Sequence, residues 1–314
     1  MRIGVVVDST CDLPQEFIEK HNIRILPITL HLDNDHLVDE RDPQATLAFY
    51  DADLADRGHN AESAPFTVQQ IQEVFLERLV LDFDFVFCIT VHAGRSPIFA
   101  NATKASFSIL SGYRRIRKEA GVSGPFSMRV IDSKTMMAGT AVVAAEACGL
   151  AEQGFTPNEI RQHLDNIVEN TIGYMVPDDL YYIRTRAKKK GEKSVGLVSA
   201  VLAGALDIKP ILSAYHGETK PVAKLRGYEP AVEKMLKHVA ERVRNGDLMS
   251  RYVCLSYGGH PDTVRSMPGY AELEQACEDA KVELMLSIMS ATIAVNAGRN
   301  CLTVAYAGAM APME

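Results

Sequence analysis

Short apolar runs that break at once into polar loops mark the first half of the chain. Ile3-Gly4-Val5-Val6-Val7 leads into Asp8-Ser9-Thr10-Cys11-Asp12-Leu13-Pro14. Phe85–Val91 leads into His92-Ala93-Gly94-Arg95-Ser96, and Ser127–Ile131 into Asp132-Ser133. A run that is apolar at every position reads as a strand covered on both faces, as in a parallel sheet. Arg24–Leu32 reads as a further strand. Helical patterns separate these runs: Pro14–His21, Pro43–Arg57, Thr67 to Val80, Pro97–Lys118 and Lys134–Gln153. Thr156-Pro157-Asn158-Glu159 supplies an N-cap, a first-turn proline and a first-turn acid, opening a helix to Glu169. The alternation predicts an α/β fold with a doubly wound, mostly parallel sheet.

The pattern changes near residue 170. Thr171–Val176 reads as a strand, Asp178–Lys190 as a helix that turns basic, and Val195–Leu206 as an apolar helix. Asp207–Leu212 and Thr219–Leu225 flank His216-Gly217, a hairpin-like turn. Glu229–Arg244 is an amphipathic helix. Arg251–Tyr257 and Lys281–Ile288 read as strands with a helix at Tyr270–Ala280 between them. Ala291–Ala297 is a short helix and Leu302–Tyr306 a last strand. Hairpins mixed with helices predict an α+β unit with a mixed sheet. The expected division is 1–170 and 171–314.

Composition narrows the function classes. The 314 residues are 47% apolar and carry a formal charge of −7, which opposes general nucleic-acid binding. One local basic run, Arg184–Lys193, reads as a solvated helix face or as a contact for an acidic partner or anionic headgroups. The six cysteines, at 11, 88, 148, 254, 277 and 301, form no C-x-x-C pair. They read as buried thiols of a cytoplasmic protein, and no apolar stretch reaches membrane-spanning length. His21, His31, His36 and His59 show no metal-ligand spacing. No cofactor is expected.

If the strands are parallel, the loops after Val7, Val91 and Ile131 share one sheet edge, where open α/β folds bind ligands. Ser9, Ser96 and Ser133 then converge, and Ser96-Pro97 opens a helix whose free amides favour an anion. The bland reading of Ser9, Asp132 and Ser133 is helix capping. Ile98, Phe99, Met136 and Met137 flank these loops. The helix Ala138–Ala151 is made almost wholly of small residues, which either leave volume for a ligand or allow close packing. Nucleotide-loop, zinc-protease and serine-hydrolase motifs are missing. A phosphoryl- or acyl-transfer hydrolase using Asp8, Ser9 and Asp132 stays open as an alternative, with His92 beside Ser96.

Four segments carry a family resemblance: Val6-Val7-Asp8-Ser9-Thr10-Cys11-Asp12-Leu13-Pro14, Val130-Ile131-Asp132-Ser133, Leu206-Asp207-Ile208-Lys209-Pro210-Ile211-Leu212, and Gly217 with Lys224-Leu225-Arg226 before a helix. Together they resemble the DegV family. The resemblance implies two domains with one long-chain fatty acid held between them. It also implies a non-enzymatic role, presenting the carboxylate to a fatty acid kinase subunit. Glu62-Ser63-Ala64-Pro65 stands where the family has T-S-Q-P, and His92 to Ile98 stands for its S-S-G-L-S-G-T loop. Asn296-Ala297-Gly298-Arg299-Asn300 replaces H-T-G-P-G, and Lys189–Lys193 replaces a G-G-R segment. By this carry-over Ser63 and Ser96 hold the carboxylate with Asn296 as a neutral donor. Arg95 offsets Glu62, and Ile98, Phe99 and Met137 line the acyl tunnel.

Overall fold

The computed structural model describes residues 1–33, 35–56, 61–189 and 207–313. The continuous apolar runs form a four-stranded parallel sheet. Its strands are β1 (Ile3–Asp8), β2 (Arg24–Leu26), β6 (Phe85–Thr90) and β7 (Ser127–Asp132), in the order β2-β1-β6-β7. Strand alternation sends Val5, Val7, Phe87 and Ile89 to one face, against the Ala138–Glu152 helix. Val6, Val86 and Cys88 point to the other, against Ile71, Phe75, Leu79, Ile98 and Ala102. Both faces of β1 and β6 are therefore covered, which is why no polar residue interrupts them before their last position, while the edge strand β7 keeps Ser127 and Arg129 exposed. The winding reverses between β1 and β6, so their carboxyl ends open a crevice.

The expected single strand Arg24–Leu32 is two strands. Pro27 has no N–H to donate, and the parallel ladder stops before it. Beyond it, β3 (Ile28–Leu32) joins β4 (Asp35–Asp39) and β5 (Ala61–Pro65) in a separate antiparallel sheet, ordered β4-β3-β5. Ile28, Leu30 and Leu32 are buried while His31 is exposed, the period-two signature of a half-covered strand. Two further helix expectations shorten. Pro43–Arg57 is helical only over Pro43–Asp51. Pro97–Lys118 divides into Ile98–Ser108 and Tyr113–Glu119, with a tighter turn at Ile109–Ser111.

The later strands build one mixed sheet. They are β8 (Thr171–Val176), β9 (Ile208–Tyr215), β10 (Glu218–Arg226), β11 (Tyr252–Tyr257), β12 (Glu283–Ile288) and β13 (Leu302–Ala307). Their order is β10-β9-β8-β13-β11-β12, with only β11 and β12 parallel. The Tyr228–Arg244 and Tyr270–Ala280 helices cover one face, through Val232, Met235, Leu236 and Leu273. The other face packs on the Ala138–Glu152 helix through Tyr252, Cys254, Met285 and Ala305. That helix thus lies between two sheets, and every residue from 138 to 150 is buried. Close packing on all sides accounts for its Ala and Gly content. The expected Val195–Leu206 helix lies outside the described residues, as does the end of the Arg184–Lys193 run.

Candidate ligand-binding site

The loop after β1 is a hub of buried hydrogen bonds. Asp8 accepts from the Thr10 amide at 2.9 Å and the Thr10 hydroxyl at 2.6 Å on one oxygen, and from the Val91 amide at 2.7 Å on the other. Burial raises its pKa, and these donors oppose the shift. Ser9 is fully buried. Its hydroxyl donates to the Asp39 carbonyl at 2.5 Å and accepts from the Ile28 amide at 2.9 Å, pinning the small sheet to the end of β1. Cys11 forms a parallel bridge with Met137.

Asp12 joins the two halves of the chain. It accepts from Ser256 Oγ at 2.7 Å and the Ser290 amide at 3.0 Å, and Arg41 Nη1 lies 3.1 Å away. Arg41 also donates to the Ile288 carbonyl at 3.0 Å and Ser287 Oγ at 3.2 Å. Asp39 accepts from the Thr292 amide at 2.8 Å and hydroxyl at 2.7 Å. Burial pushes the Asp12 carboxyl up to about 6, against the pull of Arg41. Reading the sequence did not single out Asp39, Arg41 or Ser256. Each has a partner more than two hundred residues away, so no local spacing announces them.

The other two loops meet the mixed sheet. Asp132 accepts from the Ala93 amide at 3.1 Å and the Lys134 amide at 2.9 Å, with His92 Nδ1 at 3.5 Å. Ser133 is fully buried and bonded to the Thr135 carbonyl at 3.2 Å and Thr140 Oγ1 at 3.3 Å. The His92 ring lies against the β9–β10 turn. There His216 and Gly217 take φ of 50° and 76°, and a Cβ on Gly217 would sit 2.4 Å from His92 Nε2. Two successive positive φ values are the geometry of a two-residue hairpin. Arg95 Nη2 donates to Thr219 Oγ1 at 3.2 Å on β10.

Ser96 lies in the loop after β6, and Ser63 in β5. Ser96 Oγ accepts from the Ile98 amide at 3.3 Å, opening the Ile98–Ser108 helix. Asn101 of that helix donates to the Phe66 carbonyl at 2.9 Å, which ties the helix to the residue following β5. The Ala291–Ala297 helix, carrying Asn296, packs on β3 and β5. Asn296 Nδ2 donates to the Thr292 carbonyl at 2.6 Å. Ser63 and Glu62 thus lie on β5, Arg95 and Ser96 in the loop after β6, and Asn296 on the Ala291–Ala297 helix that packs on β5. The Ser9 and Ser133 hydroxyls are bonded within the protein.

An apolar slot runs below Arg95. Met136, Met137, Ala138 and Gly139 form one wall. Gly173, Met175, Leu212, Ala214, Thr219, Thr303 and Ala305 of the mixed sheet form the other. Its cavity volume is about 30 Å³, room for little more than a water molecule. The walls must part for anything wider, and methionine side chains adapt readily. Met137 has φ 57° and ψ −128°, a backbone conformation sparsely populated outside glycine that costs on the order of 1–3 kcal/mol. Of the expected tunnel residues, Met137 lines this slot. Ile98 is buried with Val91 and Leu26 on the far face of the parallel sheet, and Phe99 is not part of the slot walls. The sheet-side walls escaped notice, although Gly173, Ala214 and Ala305 alternate with core positions.

Residues 2–309 match the family model described as "Uncharacterised protein, DegV family". A DegV domain-containing protein of Xanthomonas axonopodis pv. citri is 50% identical over 307 residues, covering 98% of each chain. A DegV lipid-binding protein from Thermotoga maritima has a similar structure, with TM-score 0.73 at 21% identity, over 98% of this chain and 99% of that one. A stearic acid-binding protein from Eubacterium ventriosum gives TM-score 0.74 at 19% identity, over 98% of each chain.

Proposed function

Since the chain belongs to the DegV family, we propose that it binds a long-chain fatty acid, or a similar anionic lipid, between its two halves. The observation that carries this reading is the apolar slot between Met136–Gly139 and the mixed sheet, with the Arg95 guanidinium bonded to Thr219 of its wall. Units 1–170 and 171–314 face each other across it. Ser63 and Ser96 hold the carboxylate, Asn296 donates nearby, and Arg95 offsets Glu62. The description of the Thermotoga protein as lipid-binding and of the Eubacterium protein as stearic acid-binding supports the substrate class.

Magnitudes favour the chain over the head as the source of affinity. Each buried CH₂ contributes about 0.8 kcal/mol, and a neutral hydrogen bond about 1 kcal/mol net. Burying half of a long acyl chain therefore outweighs the few polar contacts at the rim. Those contacts set orientation, leaving the carboxylate where a kinase subunit can phosphorylate it. The binder itself does no chemistry and needs no cofactor. The hydrolase reading loses ground because both oxygens of Asp8 are engaged and the Ser9 hydroxyl donates to a carbonyl instead of a base.

Mass spectrometry of lipid extracted from the purified protein, followed by titration of the delipidated protein with fatty acids, tests the reading. One fatty acid per chain is expected, with Ser96→Ala weakening affinity about two- to tenfold. A protein that carries no lipid and takes up no fatty acid overturns it. Transfer of phosphate to the bound carboxylate by a fatty acid kinase subunit tests the presentation step.

A further inference from the structure

The helix that opens at Ser96 ends in a feature unrelated to the slot. Phe107 and Leu110 are 69% and 57% exposed, and among the described residues only Met1 is a more exposed large apolar side chain. They sit at the junction of the Ile98–Ser108 helix and the Ile109–Ser111 turn. The inner face of this segment is committed to the core through Ala102, Ala105, Ile109 and Tyr113. Its outer face carries Lys104, Arg114, Arg115 and Lys118, all exposed. Glu119, paired with Arg115 at 3.7 Å, is the one acid in the stretch, and Glu73 and Glu77, with Arg78, lie on the neighbouring helical segment. The patch stays cationic with all of these counted, on a chain whose formal charge is −7.

We propose that this patch docks the protein on an anionic phospholipid surface, with Phe107 and Leu110 entering the interface and the four cations meeting headgroups. Apolar side chains ringed by lysine and arginine are what such a surface selects. Pairing with a second copy would set the same cations against each other, which disfavours a symmetric dimer there. The helix runs back from the carboxyl end of β6, and Arg117 of the next helix bonds the Phe83 carbonyl just before that strand starts. Its 11 residues place the patch about 16 Å from the Ser96 loop. A docked molecule therefore turns the crevice away from the bilayer, leaving the rim open to a soluble partner. The inference does not depend on what the slot holds.

Vesicle flotation of the delipidated full chain tests it, using phosphatidylcholine alone and phosphatidylcholine with phosphatidylglycerol. Binding is expected only to the anionic vesicles and weakens with salt. Phe107→Ser/Leu110→Ser lowers it at least about tenfold, and Lys104→Ser/Arg115→Ser also lowers it at least about tenfold. Both variants keep the thermal midpoint and the fatty-acid titration of the parent. The proposal is overturned if the parent ignores anionic vesicles or if the apolar variant binds them as the parent does. It is equally overturned if parent binding is unchanged by salt, or if the patch drives self-association in sedimentation. Vesicle binding without fatty-acid uptake upholds docking while removing the cargo reading.

Discussion

Arg41→Met should be among the most damaging single substitutions outside the apolar core. Arg41 is 4% exposed and reaches four groups from both halves of the chain: Asp12, the Leu13 carbonyl, Ser287 and the Ile288 carbonyl. Methionine fills much of the volume but leaves Asp12 buried without its cation. Removing one member of a buried ion pair costs about 3–5 kcal/mol. If the cost comes from the stranded carboxylate, Asp12→Asn in the Arg41→Met background should recover about 1–2 kcal/mol, since the amide is neutral. Urea denaturation of the parent, both single variants and the double variant measures the cycle. The pH dependence adds an independent reading. Asp12 titrates near 6 in the fold against about 4 when unfolded, so the folded state binds its proton more tightly. Its contribution is fully present below about pH 4 and is lost as pH rises through about 6. Without Arg41 the carboxyl rises further, and this window extends upward. A single-variant cost below about 1 kcal/mol, or a double variant no more stable than Arg41→Met, refutes the reasoning.

Four further substitutions probe other parts of the argument. Gly217→Ala should destabilise by about 1–3 kcal/mol in urea, because a Cβ meets His92 Nε2 at 2.4 Å and φ is 76°. Gly154→Ala, with φ 81° and open space around it, should cost only about 1 kcal/mol, and equal losses would remove the contact argument. Gly173→Leu should abolish fatty-acid uptake while the fold persists by circular dichroism. A Cβ there makes ordinary contacts of 3.8 Å to Ala214 and 4.0 Å to Ala305, so the added bulk goes into the slot, and unchanged uptake would place the ligand elsewhere. Asp84 is held well below the usual carboxylate range, first by the Arg2 side chain and backbone, then by Arg117. Its contribution is present above about pH 4 and is lost as pH falls through the lowered value. Asp84→Asn should therefore flatten the acid limb of a stability–pH curve, and an unchanged limb would exclude this site as its source.

What was legible in the sequence follows the range of the interaction. The parallel strands stand out because coverage on both faces removes every polar position from Val5 to Val7 and from Phe85 to Ile89. The hairpin at His216-Gly217 stands out because its turn needs positive φ at two successive residues. β5 is nearly invisible: Ala-Glu-Ser-Ala-Pro has weak strand preference, and pairing of Leu30 with Ser63 holds it in place. Ser63 was recognisable only through the family resemblance. The small residues of the Ala138–Glu152 helix suggested open volume as readily as tight packing. Only the second sheet, built from residues after 170, decides between them.

The opening motif shows why a string of polar residues at a sheet edge need not touch the ligand to matter to it. Asp8 ties β1 to the amide of Val91 and so to the start of the Ser96 loop. Ser9 ties it to β3 and β4, which carry β5 and Ser63 alongside. Cys11 bridges Met137, the strained residue of the slot wall. Asp12 reaches Ser256 and Ser290, the latter capping the helix that bears Asn296. Four of the five residues from Asp8 to Asp12 thus tie the end of β1 to four separate elements. Substituting any of them should disturb binding indirectly, through the spacing of the rim. On the proposed reading a carboxylate's orientation depends on that spacing, since an apolar slot grips without direction.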